Sequence, residues 1–267
     1  MALPHWRPRL VALDVDGTLA RTGEEEISPA VHAAIERVIG HGTHVVISTG
    51  RSLIGTLPIT DRLALHDSIA LCSNGAVWWD SGARQIVRQT TFDPGPAVEV
   101  LHELLPDAVF AAEVTGVGNI ALGVFPDGDL WGELRQVGFA ELIAEPTSRL
   151  VVRWLGRTPQ ELALRLSDVE LPGVAWSVDH HVPWLTLVPP GVTKGSALEE
   201  LRVQLGVAPE DTLAVGDGHN DVEMLRWAAH GVAMGQAPAS VQAVADEVTG
   251  TVLEDGVATA ISRWFPA

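Results

Sequence analysis

Short apolar runs that stop abruptly on polar residues or glycine constrain what this chain can fold into more than any other feature. Arg9-Leu10-Val11-Ala12-Leu13 stops at Asp14, His44-Val45-Val46-Ile47 at Ser48, Ser68-Ile69-Ala70-Leu71-Cys72 at Ser73, and Thr212-Leu213-Ala214-Val215 at Gly216. A nearly unbroken apolar run of this length, without polar alternation, predicts a strand buried on both faces. Helical signals lie between the runs. Ser28-Pro29 provides an N-cap and a first-turn proline for a helix through about Ile39, and Ser52 opens another through about Leu57. A helix over Lys194–Leu205 is stopped by Gly206, a further one spans Asn220–Ala229, Gly231–Met234 reads as a strand, and a final helix follows Pro238. Buried strands joined through helices run parallel, so the predicted core is α/β, one doubly wound parallel sheet.

The signals change between about Asp80 and Leu185. Short alternating runs at Ala108–Val114, Asn119–Val124, Leu150–Leu155 and Val174–Val178 predict an antiparallel sheet, with helices at Ala97–Leu105 and Pro159–Leu166. After Pro189-Pro190-Gly191 the β-α alternation resumes. The expected organisation is a first core segment over 1–80, an inserted α+β unit over 81–185, and a second core segment over 186–267 that completes the sheet of the first.

With 267 residues, 46% apolar and 19% charged, the chain has the composition of a folded globular protein. Its formal net charge of -17 argues against a nucleic-acid partner, because binding a polyanion needs clustered basic groups that displace counterions. No stretch reaches the roughly 18 apolar residues of a membrane span, so no membrane partner is expected. Met1–Arg9 has prolines and arginines but no apolar signal core, and the cytoplasm is the expected location. Cys72 is the only cysteine, which excludes an intrachain disulfide. It lies in an apolar run with no base beside it and reads as a buried strand residue rather than a nucleophile.

In an open parallel sheet, ligands bind beyond the C-terminal ends of the strands, where the strand order reverses. The polar motifs fall at those ends: Asp14-Val15-Asp16-Gly17-Thr18, Ser48-Thr49-Gly50-Arg51 and Gly216-Asp217-Gly218-His219-Asn220-Asp221, with Lys194 opening a helix between the last two. Each alone reads as a capped turn. The alternating oxygen side chains of the acidic motifs suggest a calcium loop, but its sixth position, which should be glycine, is Leu19 or Val222. Gly216-x-Gly218 has Asp221 where a dinucleotide fingerprint needs its third glycine. As a set, the motifs supply what phosphoryl transfer needs: a nucleophile, a divalent metal, a cation for the remaining phosphate charge, and donors for its oxygens. Magnesium takes one or two carboxylates plus water and phosphate, which Asp14 and Asp217 can supply with a backbone carbonyl from Asp16. Lys194 can neutralise nucleophile and phosphate, while Thr49 and the amides after Asp14 can donate to phosphate oxygens.

In this order, Asp14-Val15-Asp16-Gly17-Thr18, Thr49-Gly50-Arg51, Lys194 and Gly216 to Asp221 resemble the four motifs of haloacid dehalogenase (HAD) superfamily phosphatases. Ser73-Asn74-Gly75-Ala76 and Val232-Ala233-Met234-Gly235 resemble its Cof-like subgroup, whose insertion is an α+β cap of type IIB. The resemblance implies an Mg2+-dependent phosphatase that forms an aspartyl-phosphate on Asp14, with Asp16 protonating the leaving oxygen and then activating water. It places Thr49 and Lys194 on the phosphate, with Gly50, Arg51, Asn74 and Asn220 beside it. It places Asp14, Asp16 and Asp217 at the metal, and Asp221 in support of the metal shell or of Lys194. Because Asp16 must carry a proton at the first step, one carboxyl of the Asp14–Asp16 pair should be raised in pKa relative to the metal-bound other.

Arg51 has a second reading as a brace for the sheet end, Thr18 reads as structural, and His219 as a solvent-facing turn residue. Gln236 stands where the subgroup usually has Asn, which leaves open only the detail of a turn. Arg153, His180, His181 and Trp184 are the cap candidates for substrate contact, each with cap packing as its other reading. The implied partner is a small phosphorylated metabolite, namely a sugar phosphate, nucleotide or phosphorylated cofactor, bound by a monomer or homodimer. Two rival readings remain: a phosphomutase, and a non-catalytic module that binds a phosphorylated ligand.

Overall fold

The computed structural model describes residues 6–266; the reading of the opening Met1–Arg9 falls mostly on residues 1–5, outside the described residues. The first part of the chain forms β1 (Leu10–Leu13), α1 (Pro29–Gly40), β2 (His44–Ile47), α2 (Leu53–Arg62), β3 (Ile69–Cys72), β4 (Val77–Asp80) and β5 (Gln85–Gln89). The middle part forms α3 (Gly95–Leu104), β6 (Ala108–Val114), β7 (Gly118–Leu122), β8 (Glu133–Gln136), α4 (Phe139–Leu142), β9 (Leu150–Trp154), α5 (Pro159–Leu166), β10 (Ala175–Val178) and β11 (Trp184–Val188). The last part forms α6 (Lys194–Gln204), β12 (Thr212–Gly216), α7 (Val222–Trp227), β13 (His230–Ala233), α8 (Ala239–Gln242), β14 (Glu247–Val248) and α9 (Gly256–Ser262). Among the described residues no helix is long and apolar enough to cross a membrane.

The core is a parallel sheet in the order β14-β13-β12-β1-β2. β1, β2 and β12 are buried on both faces, as their unbroken apolar runs predict, whereas the edge strand β14 is partly exposed. Val11 and Leu13 pack among Val31, Ile35 and Ile261 of α1 and α9, whereas Leu10 and Ala12 pack among Leu198, Leu201 and Met224 of α6 and α7. From β1 the chain turns to β2 on one side and later returns to β12 on the other, so the strand order reverses between β1 and β12. A crevice opens beyond strand ends at such a reversal.

The third apolar run departs from the expected single sheet. β3 touches the core sheet at one rung, Leu71 beside Ser48, and pairs antiparallel along its length with β4, which pairs with β5. This hairpin sheet runs to Gln89, beyond residue 80. After Pro238 the expected single helix is divided into α8, β14 and α9, with Asp255 at φ 53° standing immediately before α9.

The middle sheet has the order β10-β11-β9-β6-β7-β8, antiparallel except for the parallel pair β7–β8. One face carries α3 and α5 over Phe110, Leu150, Val152 and Leu185. The alternate residues of the same strands, including Val109, Val151 and Trp184, form a smaller cluster on the other face. This α+β unit is the cap expected from the sequence, seated over the ends of the core strands.

Candidate active site

Asp14 and Asp217 leave adjacent strands side by side. Leu13 pairs with Val215, and the Asp14 amide donates to the Val215 carbonyl at 3.1 Å. Gly17, at φ 77°, brings the first turn so close to Asp217 that any side chain there would collide with its carboxylate. The Gln236 amide nitrogen donates to the Gly17 carbonyl at 2.5 Å and lies 3.3 Å from Asp217 Oδ2, while its oxygen accepts from the Val252 amide. The Asn-to-Gln departure therefore reaches beyond turn geometry: this side chain joins the two acidic motifs.

Lys194 is the first residue of α6, capped by Thr193, whose hydroxyl accepts from the Ser196 amide. An ammonium at a helix N-terminus opposes the helix dipole. The compensation is direct, because Lys194 Nζ donates to Asp14 Oδ1 at 2.6 Å and to Asp221 Oδ1 at 2.5 Å, fully buried. Burial alone would lower the Lys194 pKa, but Asp14 and Asp221 outweigh it and hold it above its usual range. The second oxygen of Asp221 accepts from the Asp217 and Gly218 amides at 2.9 and 2.8 Å. Both Asp221 oxygens are thus engaged, one by Lys194 and the other by the loop amides.

Ligand atoms of Asp14, Asp217 and Asp221 lie within 4.8 Å of one another. Burial and then the charge of Asp221 push the Asp14 carboxyl up to about 7, although Lys194 pulls it down. Burial, then Asp14 and Asp221, push Asp217 up to about 8. Without a cation the raised carboxyl is thus that of Asp14, the expected metal ligand, whereas the sequence reading looks for the rise at the partner not bound to metal. Asp14 and Asp221 share one ammonium and Asp217 stands beside them, an oxygen-only cluster with excess negative charge that suits a hard divalent cation such as Mg2+.

Asp16 is gripped differently. Arg51 Nη2 and Nε donate to its two oxygens at 2.7 and 2.8 Å, and the Gly23 amide donates to Oδ1 at 2.9 Å. Arg51 also donates to the carbonyls of Glu24 at 2.7 Å and Gly55 at 3.3 Å. Its guanidinium is committed to Asp16 and to backbone rather than held out toward a phosphate, so Arg51 is a clamp on Asp16. The Asp16 side chain is likewise committed, which leaves its backbone carbonyl for a metal.

Thr49 is fully buried and its hydroxyl accepts from the Arg51 amide at 3.1 Å, which leaves its own hydrogen to donate. Gly50 lies beside Asn74 and Asn220, whose side chains share a bond of 3.0 Å. Thr18 is buried, in keeping with its structural reading. Cys72 is buried and its thiol is pushed up to about 12 by burial, as a structural residue would be.

A cavity of about 460 Å³ separates this rim from the cap, with Asp14, Asp16, Gly50, Asn74, Asp217 and Asn220 on the core wall. Of the cap candidates, His180, His181 and Trp184 reach the opposite wall. His180 Nε2 lies 3.9 Å from Asp217 Oδ2, and burial followed by the neighbouring His181 holds its pKa below the usual range. Arg153 turns to Asp129 at 3.4 Å instead. His219, read as solvent-facing, also borders the cavity, 3.3 Å from the Ser240 hydroxyl. Arg149 and Trp131 on the cap wall escaped the sequence reading. Arg149 is buried with Nε unpartnered, and burial lowers its pKa against the opposing pull of Glu113 and Asp16. Neither residue sits in a motif, and the Pro126-Asp127-Gly128-Asp129 turn before Trp131 signals a loop but not where that loop lands.

Residues 11–115 and 171–261 match the family model of haloacid dehalogenase-like hydrolases. The chain is 30% identical over 259 residues to a 5-amino-6-(5-phospho-D-ribitylamino)uracil phosphatase of Bacillus subtilis (strain 168), covering 96% of this chain and 95% of the relative. It is 28% identical over 269 residues to a pyridoxal phosphate phosphatase of Escherichia coli (strain K12), covering 94% and 96%. Its fold matches the solved structure of a HAD subclass IIB sugar phosphatase with a TM-score of 0.80 at 24% identity, covering 96% of this chain and 98% of that one. With both matched segments bearing the carboxylates that meet at this rim, the chain belongs to the haloacid dehalogenase-like hydrolases as a phosphatase of Cof type.

Proposed function

We propose that the chain hydrolyses the monophosphate ester of a small metabolite, with Mg2+, through an aspartyl-phosphate on Asp14. One observation carries this reading: Lys194 is buried between Asp14 and Asp221, which in turn holds the loop that brings Asp217 beside Asp14. Asp14 and Asp217, with the Asp16 carbonyl, would hold the cation. When bound, it would shield the charge between nucleophile and phosphate and polarise the phosphoryl oxygens.

Asp14 Oδ1 is tied to Lys194, so Oδ2 is the oxygen that attacks phosphorus. As the ester P–O bond breaks, Asp16 delivers a proton to the leaving oxygen. The same carboxylate then takes a proton from water, whose oxygen attacks phosphorus and breaks the bond to Asp14. The Arg51 fork and the Gly23 amide occupy both lone pairs of Asp16 Oδ1 and one of Oδ2, which leaves one on Oδ2 for this proton. Lys194, Thr49 and Asn220 would hold the phosphate oxygens, with Gly50 leaving them room.

The cavity volume, its aromatic Trp131 and Trp184 and the unpartnered Nε of Arg149 support a small ester with an organic body, such as a sugar phosphate or phosphorylated cofactor. A cytoplasmic monomer or homodimer is part of this reading, the location supported by the single buried Cys72. A panel of phosphorylated metabolites, incubated with Mg2+ and assayed for free phosphate, tests it. Phosphate release lost in Asp14→Asn is the expected result. Isomerised sugar phosphate without free phosphate would favour a mutase, and ligand binding without turnover a non-catalytic module.

A further inference from the structure

One cap side chain lies against the clamp on the proposed acid/base residue. Trp131, between β7 and β8, lies against the first turn of α2, where Gly55 leaves a notch: a Cβ there would stand 2.8 Å from Trp131 Cδ1 and 2.9 Å from its Cγ. Glycine is a poor helix former, so its presence in this turn calls for a packing reason, and the indole supplies one. The same ring lies over Arg51, whose Cζ is 5.3 Å from the ring centroid. Arg51 bonds the Gly55 carbonyl at 3.3 Å with one nitrogen and grips Asp16 with two others at 2.7 and 2.8 Å. On the cap side, buried Asn119 of β7 donates to the Trp131 carbonyl at 2.9 Å and ties the loop to its sheet.

We infer that Trp131 is a positioning residue: seated in the Gly55 notch when the cap covers the cavity, it fixes the Arg51 fork that aims Asp16 at the leaving oxygen. The acid is then in place only once the substrate is enclosed. This inference rests on the reading of Asp16 as acid and base. A guanidinium loses freedom and water when it is covered by an aromatic face, and a bidentate fork transmits that order because both of its bonds must stay in plane. Misplacement of a proton donor by about 1 Å is enough to cost on the order of 100-fold in rate.

The test compares two esters in the presence of Mg2+. An alkyl phosphate needs a proton on its leaving oxygen, whereas p-nitrophenyl phosphate departs without one. Trp131→Ala should lower kcat/KM for the alkyl ester by about tenfold to 100-fold, part of the effect of general acid catalysis, and for the aryl ester by less than about threefold. Asp16→Asn should show the same preference more strongly, and Trp131→Phe should recover part of the loss. Gly55→Ala should give the same pattern while leaving the melting temperature at or above that of the parent. Added to Trp131→Ala it should cost nothing more, because the two changes act on one contact. Equal losses on both esters, or additive losses for Gly55→Ala and Trp131→Ala, would overturn the inference and leave the phosphatase reading intact. Aryl ester turnover that survives Asp14→Asn would overturn the reading and the inference together.

Discussion

On the core side of the cavity, Lys194, Asp16 and Asp221 are each held by two or more bonds of 2.5 to 2.9 Å. On the cap side, Arg149 Nε and His180 Nε2, both at the cavity wall, are buried without a hydrogen-bond partner. The core wall has its charges fixed before substrate arrives, as electrostatic preorganisation requires. The cap wall keeps polar groups for a ligand to satisfy, as a selecting surface does. One wall is thus built to react and the other to choose.

The comparison is broken most severely by removing the buried cation of the core wall. Lys194→Met leaves Asp14 and Asp221 facing each other without compensation and should destabilise the protein by about 3 to 5 kcal/mol. Arg153→Met on the cap should cost under about 1 kcal/mol, since it loses one partly exposed ion pair, to Asp129 at 3.4 Å. Urea unfolding of the two variants decides it, and equal losses would contradict the contrast.

The charge crowding of the core wall should also set a pH dependence. Asp14 and Asp217 are raised from 3.8 to about 7 and about 8, so from about pH 4 upward the native state binds more protons than the unfolded state. Stability without Mg2+ should therefore fall as pH rises through this window, and Mg2+ should flatten the slope by favouring the ionised carboxylates. Urea midpoints from pH 5 to 8, with and without Mg2+, give the check. A slope that Mg2+ leaves unchanged would place the cation elsewhere.

Two smaller effects sharpen the division. Gln236→Ala removes a contact that fastens Asp217 and should raise the Mg2+ concentration for half-maximal activity about tenfold, with kcat at saturating Mg2+ little changed. Arg149→Ala should raise KM by about fivefold and leave kcat within about twofold, the mark of lost uniform binding. A fall in kcat instead would move Arg149 into the reacting set.

What could be read in the sequence follows the same division. Asp14, Asp16, Asp217 and Asp221 sit in contiguous motifs at the ends of apolar runs, where the strand itself delivers the side chain, so local pattern was enough to find them. Lys194 was found by its place in the order of motifs, although its bonds span 180 and 27 residues. Arg51 was found, but its work was not, because only the folded turn shows that its fork closes on Asp16. Arg149 and Trp131 take their roles from where a second unit lands on the first, which no local periodicity encodes. β8 was missed for a simpler reason: Glu133–Gln136 is exposed throughout and carries no alternation.

The most direct measurement is the covalent state of Asp14 during turnover. Rapid acid quenching of the Mg2+-loaded protein with p-nitrophenyl phosphate, followed by peptide mass mapping, should find a hydroxylamine-labile phosphoryl group on the peptide bearing Asp14, accumulating further in Asp16→Asn. Sustained phosphate release with that peptide unmodified at every time point, in the parent and in Asp16→Asn, would contradict the account.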